Sequence, residues 1–386
     1  MSNLRAAVIG TGFIGPVHVE GLQRAGVDVV GILGSQPDKS KRAAAELGLQ
    51  TAYGSLDELL DDGSVNVVHI TSPNQFHFDQ ASRALHAGKH VLCEKPLAMN
   101  TQESSQLVAL AESSGLAAAV NYNIRYYPLC QEAATQVRRG DVGDIFHFST
   151  SYAQDWLFHR TDFNWRVMSE EGGSLRAVAD IGTHALDLLQ FITHQKVESV
   201  FADLLTVYPE RERPKGGIET FSGNSTAAED TESIAIGTED FGCVLLRMSD
   251  SSRGVMHVSQ VTAGRKNCLQ FEIAGAKKSL AWCSETPNEM RMGYRDAPNQ
   301  SLIRDPALLS GQASSKCSYP GGHNEGFPDT FKQLFRDFYQ SVENGQYRSD
   351  PTYPTFADGH QEIAVCEAVL KSHLRQKWIH LGEQNT

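Results

Sequence analysis

The sequence predicts an α/β protein: an N-terminal doubly wound parallel sheet, followed by an α+β domain with a large, open, mostly antiparallel sheet. Three observations carry this. The first third alternates short apolar runs with single helix-like stretches, the pattern of a parallel sheet covered on both faces. The apolar runs there lack polar alternation, as fully buried strands do. Beyond residue 123 the period changes. Leu269, Phe271 and Ile273 alternate with Gln270 and Glu272, the two-residue repeat of a sheet with one covered face.

Read in order, residues 6–9 form a strand, 16–25 a helix, 27–33 a strand and 37–47 an alanine-rich charged helix. A short helix at 56–60, strand 65–70, helix 76–87, a strand opening at 91, helix 101–113 and strand 117–120 complete a first domain, residues 1–123. Residues 124–386 form a second domain for substrate binding and oligomerisation. Its strands are expected at 145–152, 197–207, 233–237, 243–248, 254–260, 268–274 and 289–293, interrupted by one strong helix at 181–192. Residues 210–229, rich in charge, Gly and Ser, read as an exposed loop. Helices follow at 329–343 and 358–375, the last of which can pack back on the first domain.

Composition narrows the function classes. Lys and Arg are scattered, the net charge is −12 and the pI is near 5.6, which argues against nucleic acid as a partner. No apolar run approaches the ~18 residues of a membrane span. The N-terminus runs straight into a strand without a basic-then-apolar leader pattern, so a cytoplasmic protein is expected. The seven cysteines are odd in number and contain no CxxC pair, which points to reduced structural thiols and to no metal site.

The segment AAVIGTGFIG holds G-x-G-x-x-G as Gly10-Thr11-Gly12-Phe13-Ile14-Gly15. A glycine triplet alone is weak; here an apolar strand precedes it, a helix follows, and a second apolar run comes after. Gly10 permits the tight turn, Gly12 lets a pyrophosphate approach backbone N–H groups, and Gly15 lets the helix pack on the strand. This is the signature of a Rossmann dinucleotide-binding unit. An Asp or Glu at the end of the second strand would bind a ribose 2′-OH and repel a 2′-phosphate. The sequence there is Gly31-Ile32-Leu33-Gly34-Ser35, with Lys39, Lys41 and Arg42 beyond. Ser35 can donate to either group and Lys39 can neutralise a phosphate, so NAD and NADP both remain open.

Two further strand ends face the ligand edge of such a sheet. One reads Thr71-Ser72-Pro73-Asn74-Gln75-Phe76-His77, where Asn74 either caps the next helix or contacts ligand. The other reads Cys93-Glu94-Lys95-Pro96. A Lys closing a buried strand is hard to explain as packing, because Lys is rarely buried unpaired. A proline behind it, in the cis form, would aim the Lys head at the cleft. In the second domain Asp180 and His184 lie four residues apart on a helix and share a face, while Ala185, Leu188, Leu189 and Ile192 anchor the adjoining one. A histidine held by an aspartate is often only a partly buried core residue; Lys95 and the dinucleotide turn favour a catalytic reading.

These three motifs in this order resemble the Gfo/Idh/MocA oxidoreductases across essentially the whole chain. Gln154-Asp155-Trp156 through Asn164-Trp165-Arg166, and Gly322-His323-Asn324-Glu325-Gly326, are similar to the sugar-oxidising branch of levoglucosan dehydrogenase and the glucoside 3-dehydrogenases. The resemblance implies a Rossmann domain joined to an open-faced sheet domain, with Lys95, Asp180 and His184 as the catalytic set. It implies that Asn121, Asn123, Arg125 and Tyr126 serve cofactor and substrate, that Trp165 and Arg166 approach the nicotinamide or sugar, and that Trp156 and His323 contact substrate. The candidate cofactor residues are then Gly10–Gly15 of the turn, Ser35 and Lys39, Thr71–Asn74 with His77, Glu94 and Lys95, Asn123, Trp165 and Arg166.

The chemistry suits these types. Oxidising a secondary alcohol sends a hydride from carbon to nicotinamide and the hydroxyl proton to a base. His184 fits that base role and Lys95 as ammonium stabilises the developing alkoxide; the reverse assignment, with a desolvated Lys95 as base, stays open. The expected activity is NAD(P)-linked oxidation of a sugar, anhydrosugar, glycoside or cyclic polyol. Two rivals share the scaffold: a glycosidase working through transient oxidation with tightly held nicotinamide, and a dinucleotide-binding regulator without activity, against which the presence of Lys95, Asp180 and His184 together argues. An open sheet face and the resemblance lead to a homodimer or homotetramer as the expected assembly.

Overall fold

The computed structural model describes residues 3–215 and 231–382. The N-terminal part runs β1 (Arg5–Ile9), α1 (Ile14–Ala25), β2 (Asp28–Leu33), α2 (Pro37–Leu47), β3 (Thr51–Tyr53), α3 (Leu56–Asp61), β4 (Val67–Ile70), α4 (His77–His86), β5 (His90–Cys93), α5 (Thr101–Ser114) and β6 (Ala118–Val120). Its six strands are all parallel, in the order β3-β2-β1-β4-β5-β6. The doubly wound parallel sheet expected from the apolar runs is therefore present. The order reverses between β1 and β4, and the crevice beyond the carboxyl ends of those strands is where such sheets bind ligand.

The rest of the chain runs α6 (Pro128–Arg138), β7 (Ile145–Ala153), α7 (Ser169–Gly172), α8 (Thr183–Thr193), β8 (Val197–Leu205), β9 (Glu210–Pro214), β10 (Thr231–Ala235), β11 (Phe241–Met248) and β12 (Arg253–Ser259). It continues through β13 (Cys268–Gly275), β14 (Ser279–Cys283), β15 (Glu289–Gly293), β16 (Gln300–Ile303), α9 (Gly311–Ser314), α10 (Phe327–Glu343), α11 (Phe356–Arg375) and β17 (Ile379–His380). Nine strands form the second sheet in the order β16-β15-β14-β13-β7-β12-β11-β8-β17. Only the β7–β12 pair is parallel. Leu269, Phe271 and Ile273 are buried and Gln270 and Glu272 exposed, so the alternation reports a sheet covered on one face. Each such apolar side chain contributes roughly 1.5–3 kcal/mol over exposure.

Several elements carry no periodic signal. Strands β3, β16 and β17 have two to four residues, too few to show a repeat. Helix α6 buries Gln131, Glu132, Thr135 and Gln136 as well as its apolar residues, so it presents no one-sided stripe. The expected loop at 210–229 is corrected at its start: Glu210–Pro214 is a strand paired with β10, and Arg211 is fully buried. Residues 216–229 lie outside the described residues.

The last two long helices finish the N-terminal sheet. Phe331, Phe335, Phe338 and Tyr339 of α10 join Val19, Leu22 and Ile32 in one core, and a Cβ on Gly21 would stand 2.8 Å from the Phe335 ring. On the opposite side Phe356 of α11 packs with Ile70, Val91 and Val120, while Val365, Cys366 and Val369 enter the core of the large sheet. Helix α11 therefore clamps the two sheets together. Among the described residues no helix is long and apolar enough to cross a membrane.

Candidate active site

The glycine turn has the geometry its spacing requires. Gly10 has φ +113° and its N–H donates to Leu33 O at 2.8 Å. A Cβ on Gly10 would stand 2.3 Å from Thr71 Oγ1, and one on Gly15 2.1 Å from Gly10 O. Gly12 has nothing within 4 Å of its Cβ direction. The outer two glycines are thus demanded by packing, whereas the middle one faces open space at the start of α1, the cradle a pyrophosphate fills. A split result is expected. Gly12→Val abolishes dinucleotide binding in a calorimetric titration while the unfolding midpoint stays unchanged. Gly15→Ala loses binding and about 1–3 kcal/mol of stability through overpacking. Equal destabilisation by both substitutions would contradict this reading of the turn.

Lys95 closes β5, and its bond to Pro96 is cis. Its Nζ donates to the Asp180 carbonyl oxygen at 2.7 Å and to Asp180 Oδ1 at 2.8 Å. Asp180 sits on a π turn, Val178–Gly182, that leads into α8. This corrects the regular helix expected there: Thr183 N–H reaches back five residues to Val178 O. The wider turn presents the Asp180 carbonyl to Lys95, and such π turns are frequent at functional sites. Arg166 Nε lies 3.5 Å from Asp180 Oδ1, and Gln260 Nε2 donates to Oδ2 at 2.9 Å. Burial alone would push the Asp180 carboxyl up, but Lys95 and Arg166 hold it far below the usual carboxylate range.

His184 stands one turn into the same helix, buried, with its ring edge-on to Tyr122 at 5.8 Å and near Tyr152 at 6.2 Å. Burial and the Lys95 charge press its pKa down to about 3, against the weaker pull of Glu94 and Asp180. Its Nδ1 has no hydrogen-bond partner among the described residues. The same holds for Gln260 Oε1 and Asn121 Oδ1. Unpaired buried polar atoms are costly and gather where a ligand completes them.

Behind Lys95 lies a buried chain that sequence reading missed apart from Glu94 and Asn121. His18 Nε2 is 3.0 Å from Glu94 Oε1, His18 Nδ1 is 3.0 Å from His69 Nδ1, and His69 Nε2 is 3.2 Å from Tyr339 OH. Asn121 Nδ2 also donates to Glu94 Oε1, and the Lys95 N–H donates to Glu94 Oε2 at 3.1 Å. One assignment gives every proton of the chain an acceptor: Tyr339 donates to His69, His69 to His18, and His18 to an ionised Glu94. Burial opposes that ionisation, yet His18, Lys95 and Asn121 together hold the Glu94 carboxyl down to about 2. A signal was available: His69 interrupts the apolar run 65–70, and a buried strand histidine needs a partner.

Other expected residues are placed differently. Arg166 does reach Asp180, and Trp165 and Trp156 gather around it; the guanidinium lies 4.5 Å from the Trp165 ring centre and 5.9 Å from that of Trp156. Thr71 Oγ1 donates to Ile9 O at 2.8 Å, and Ser72 Oγ to Gln80 at 2.6 Å, beside Pro73. Asn74 caps no helix; its amide donates to Gly172 O at 2.9 Å, tying the β4 loop to α7. His77 is fully buried between Pro96 O and Ser72 O, at 2.8 and 2.9 Å, and clips the two cleft loops together. Asn121 is buried against Glu94, and Asn123 gives its amide to Thr330 Oγ1 at 2.7 Å. Arg125 is bound to Asp187 and Asp358, and the buried Tyr126 donates to Thr352 O at 3.4 Å. Those connector side chains are occupied by the interior. His323 is exposed, and its carbonyl accepts from Arg304, which Glu325 neutralises at 2.8 Å. No hydrogen bond or ion pair joins it to Lys95, Asp180 or His184 among the described residues. Ser35, just beyond β2, and Lys39, in the first turn of α2, are both exposed. Cys268 and Cys283 bring their sulfurs to 3.6 Å with Glu285 nearby, but Arg265 takes that carboxylate at 2.6 Å.

A dinucleotide turn opposite a charged Lys–Asp pair and an uncharged histidine defines an oxidoreductase of the nicotinamide-dependent kind. The comparisons agree. The chain belongs to the Gfo/Idh/MocA family: residues 4–122 match the domain described as oxidoreductase family, NAD-binding Rossmann fold, and residues 130–281 match the GFO/IDH/MocA C-terminal domain. Levoglucosan dehydrogenase of Pseudarthrobacter phenanthrenivorans is 26% identical over 99% of this chain and 99% of its own length. A solved structure of levoglucosan dehydrogenase with NADH and L-sorbose superposes with a TM-score of 0.88 over 100% of both chains, at 24% identity, a likeness of fold. An oxidoreductase domain protein from Kribbella flavida is 28% identical, with a TM-score of 0.88 over 99% of this chain and 100% of that one.

Proposed function

We propose that this enzyme oxidises a secondary hydroxyl of a sugar, anhydrosugar, glycoside or cyclic polyol, reversibly, with a nicotinamide dinucleotide. The observation that carries this is the pairing of Lys95 with Asp180 beside an uncharged, buried His184, at the ligand edge of a dinucleotide sheet. Hydride acceptance is the chemistry that a nicotinamide supplies when bound, which leaves the hydroxyl proton to the protein. Lys95 spends two N–H bonds on Asp180 and aims its third at the substrate oxygen, where it stabilises alkoxide charge. Asp180 has both oxygens engaged by Lys95, Arg166 and Gln260, so it orients Lys95 and is no base. His184 is uncharged with its Nδ1 unpaired, so it can accept the hydroxyl proton; a pKa of about 3 makes it a weak base in the resting site, and the transfer is assigned to the moment when alkoxide charge develops beside it. Trp156, Trp165 and Arg166 form the surface against which a sugar ring lies.

The test is a panel of sugars, anhydrosugars and inositols with NAD⁺ and NADP⁺, following reduced nicotinamide. Substrate-dependent reduction that disappears in His184→Asn supports the reading. Cleavage of aryl glycosides without net reduction would replace it by a glycosidase, and tight dinucleotide binding with no turnover by a regulator.

The state of His184 has a consequence for stability. Its folded pKa of about 3 lies below its ordinary 6.5, so between those values the unfolded chain binds the proton and the folded chain does not. Stability is therefore full above pH 6.5 and falls as the pH drops toward 3. His69, His77 and His90 are shifted the same way, so the His184 share is read by difference. The urea midpoint of His184→Asn is expected to decline less between pH 6.5 and 4.5 than that of the parent. Identical slopes would show that the imidazole is not held neutral.

A further inference from the structure

We infer that this chain prefers a 2′-phosphorylated dinucleotide, NADP(H), over NAD(H), with Ser35 and Lys39 as the selecting residues; this rests on the dinucleotide reading above. The adenosine ribose of a dinucleotide on this fold brings its 2′ position to the end of the second strand. Here that strand ends at Leu33, and no carboxylate occurs from Gly31 through Pro37. The first acid, Asp38, faces Lys41 at 3.7 Å.

The backbone draws this segment onto the dinucleotide turn. A Cβ on Gly34 would stand 3.1 Å from Thr11 Cγ2 and 3.0 Å from Lys39 Cβ. Its N–H donates to Ser40 Oγ at 2.8 Å, which pins the loop to the first turn of α2. The glycine turn, the end of β2 and the stem of Lys39 thus form one corner. Ser35 and Lys39 are both exposed there, and neither head group has a hydrogen-bond or ion-pair partner among the described residues. Arg42 follows on the same side of the helix and is also exposed.

The two cofactors meet this corner differently. An unmodified ribose finds one hydroxyl, Ser35, and no carboxylate to accept from its 2′-OH. A 2′-phosphate finds the Ser35 hydroxyl as donor and the Lys39 ammonium as counter-charge. A charge-assisted contact of this kind is worth about a 10–100-fold difference in binding. Being solvent-exposed, that preference shrinks as salt rises.

The experiment is equilibrium binding to the full chain, by calorimetry or tryptophan quenching, of NADP⁺, NAD⁺, adenosine 2′,5′-bisphosphate and AMP, with no substrate present. The expected result is NADP⁺ tighter than NAD⁺, and the bisphosphate tighter than AMP, by about 10–100-fold. Lys39→Ala removes most of that margin by weakening NADP⁺ far more than NAD⁺, Ser35→Ala weakens both dinucleotides and narrows the margin, and Ser35→Asp reverses the order. These surface substitutions leave the thermal midpoint in place. NAD⁺ binding as tightly as NADP⁺, or a margin that survives Lys39→Ala, overturns the inference while the dinucleotide reading stands. If neither dinucleotide binds, both fall.

Discussion

Lys95→Ala lowers kcat/KM for sugar oxidation by about 10³-fold, with the dinucleotide affinity within a few-fold of the parent and the thermal midpoint nearly unchanged. The size follows from the proposed role, in which one ammonium donates to the oxygen that gains charge as the hydride leaves, in a site where 13% of the Lys95 side chain and 16% of the Asp180 side chain are exposed. The fold survives because Asp180 keeps Arg166 and Gln260 as partners. Lys95→Arg does not restore activity. One Nζ satisfies both the carbonyl and the carboxylate of Asp180, and a planar guanidinium on a longer stem cannot reproduce that convergence while sparing a donor for substrate. Steady-state kinetics beside a dinucleotide titration checks this. A loss below about tenfold, on the scale expected for removing a proton-handling group, would remove Lys95 from the chemistry.

Asp240→Ala is the second large effect, and it acts on stability. Asp240 is fully buried between Arg176 and Arg211, both also 0% exposed, and accepts from Arg211 Nη2 at 2.7 Å and from Val207 N at 2.7 Å. The carboxyl stays low because the two guanidiniums outweigh its burial. Removing it takes away the carboxylate that the two buried guanidiniums share, at a cost of about 3–5 kcal/mol. The damage is directed. Arg211 also donates to the carbonyls of Leu157, His159 and Asp162, the loop between Trp156 and Trp165. The variant is therefore expected to lose activity in denaturant well before its helices melt, followed by circular dichroism and turnover on the same samples. A fall of less than 1 kcal/mol would show that the network is not the anchor of that loop.

The contrast between these two sites marks what was legible. Gly10, Gly12 and Gly15, the Glu94-Lys95-Pro96 strand end and the Asp180–His184 pair are local patterns, each decided within a few residues by turn geometry or helical spacing. Asp240, Arg176 and Arg211 are equally critical to the architecture and carry no pattern at all. Arg211 even lies in a stretch whose charge and polarity read as an exposed loop. Its burial depends on three carbonyls and a carboxylate brought from elsewhere, and composition cannot anticipate such compensation. The connector shows the opposite failure. Arg125 and Tyr126 have the residue types of a substrate site, yet packing turns them inward against Asp187, Asp358 and the chain at Thr352.

The sequence by itself determined the doubly wound sheet, its dinucleotide turn and the residues that meet at the candidate site, because strand period, glycine spacing and strand-end position are set by backbone geometry over short distances. The tertiary structure decided the rest. It supplied the π turn that offers the Asp180 carbonyl to Lys95, and Gln260 as the second hold on Asp180. It also built the His18–His69–Tyr339 chain behind Glu94 and joined helices α10 and α11 to the N-terminal sheet. The physical reason is common to all of these. A buried polar group must find a partner, and the partner is whichever group the packed chain brings within about 3 Å, here from as far as 270 residues away.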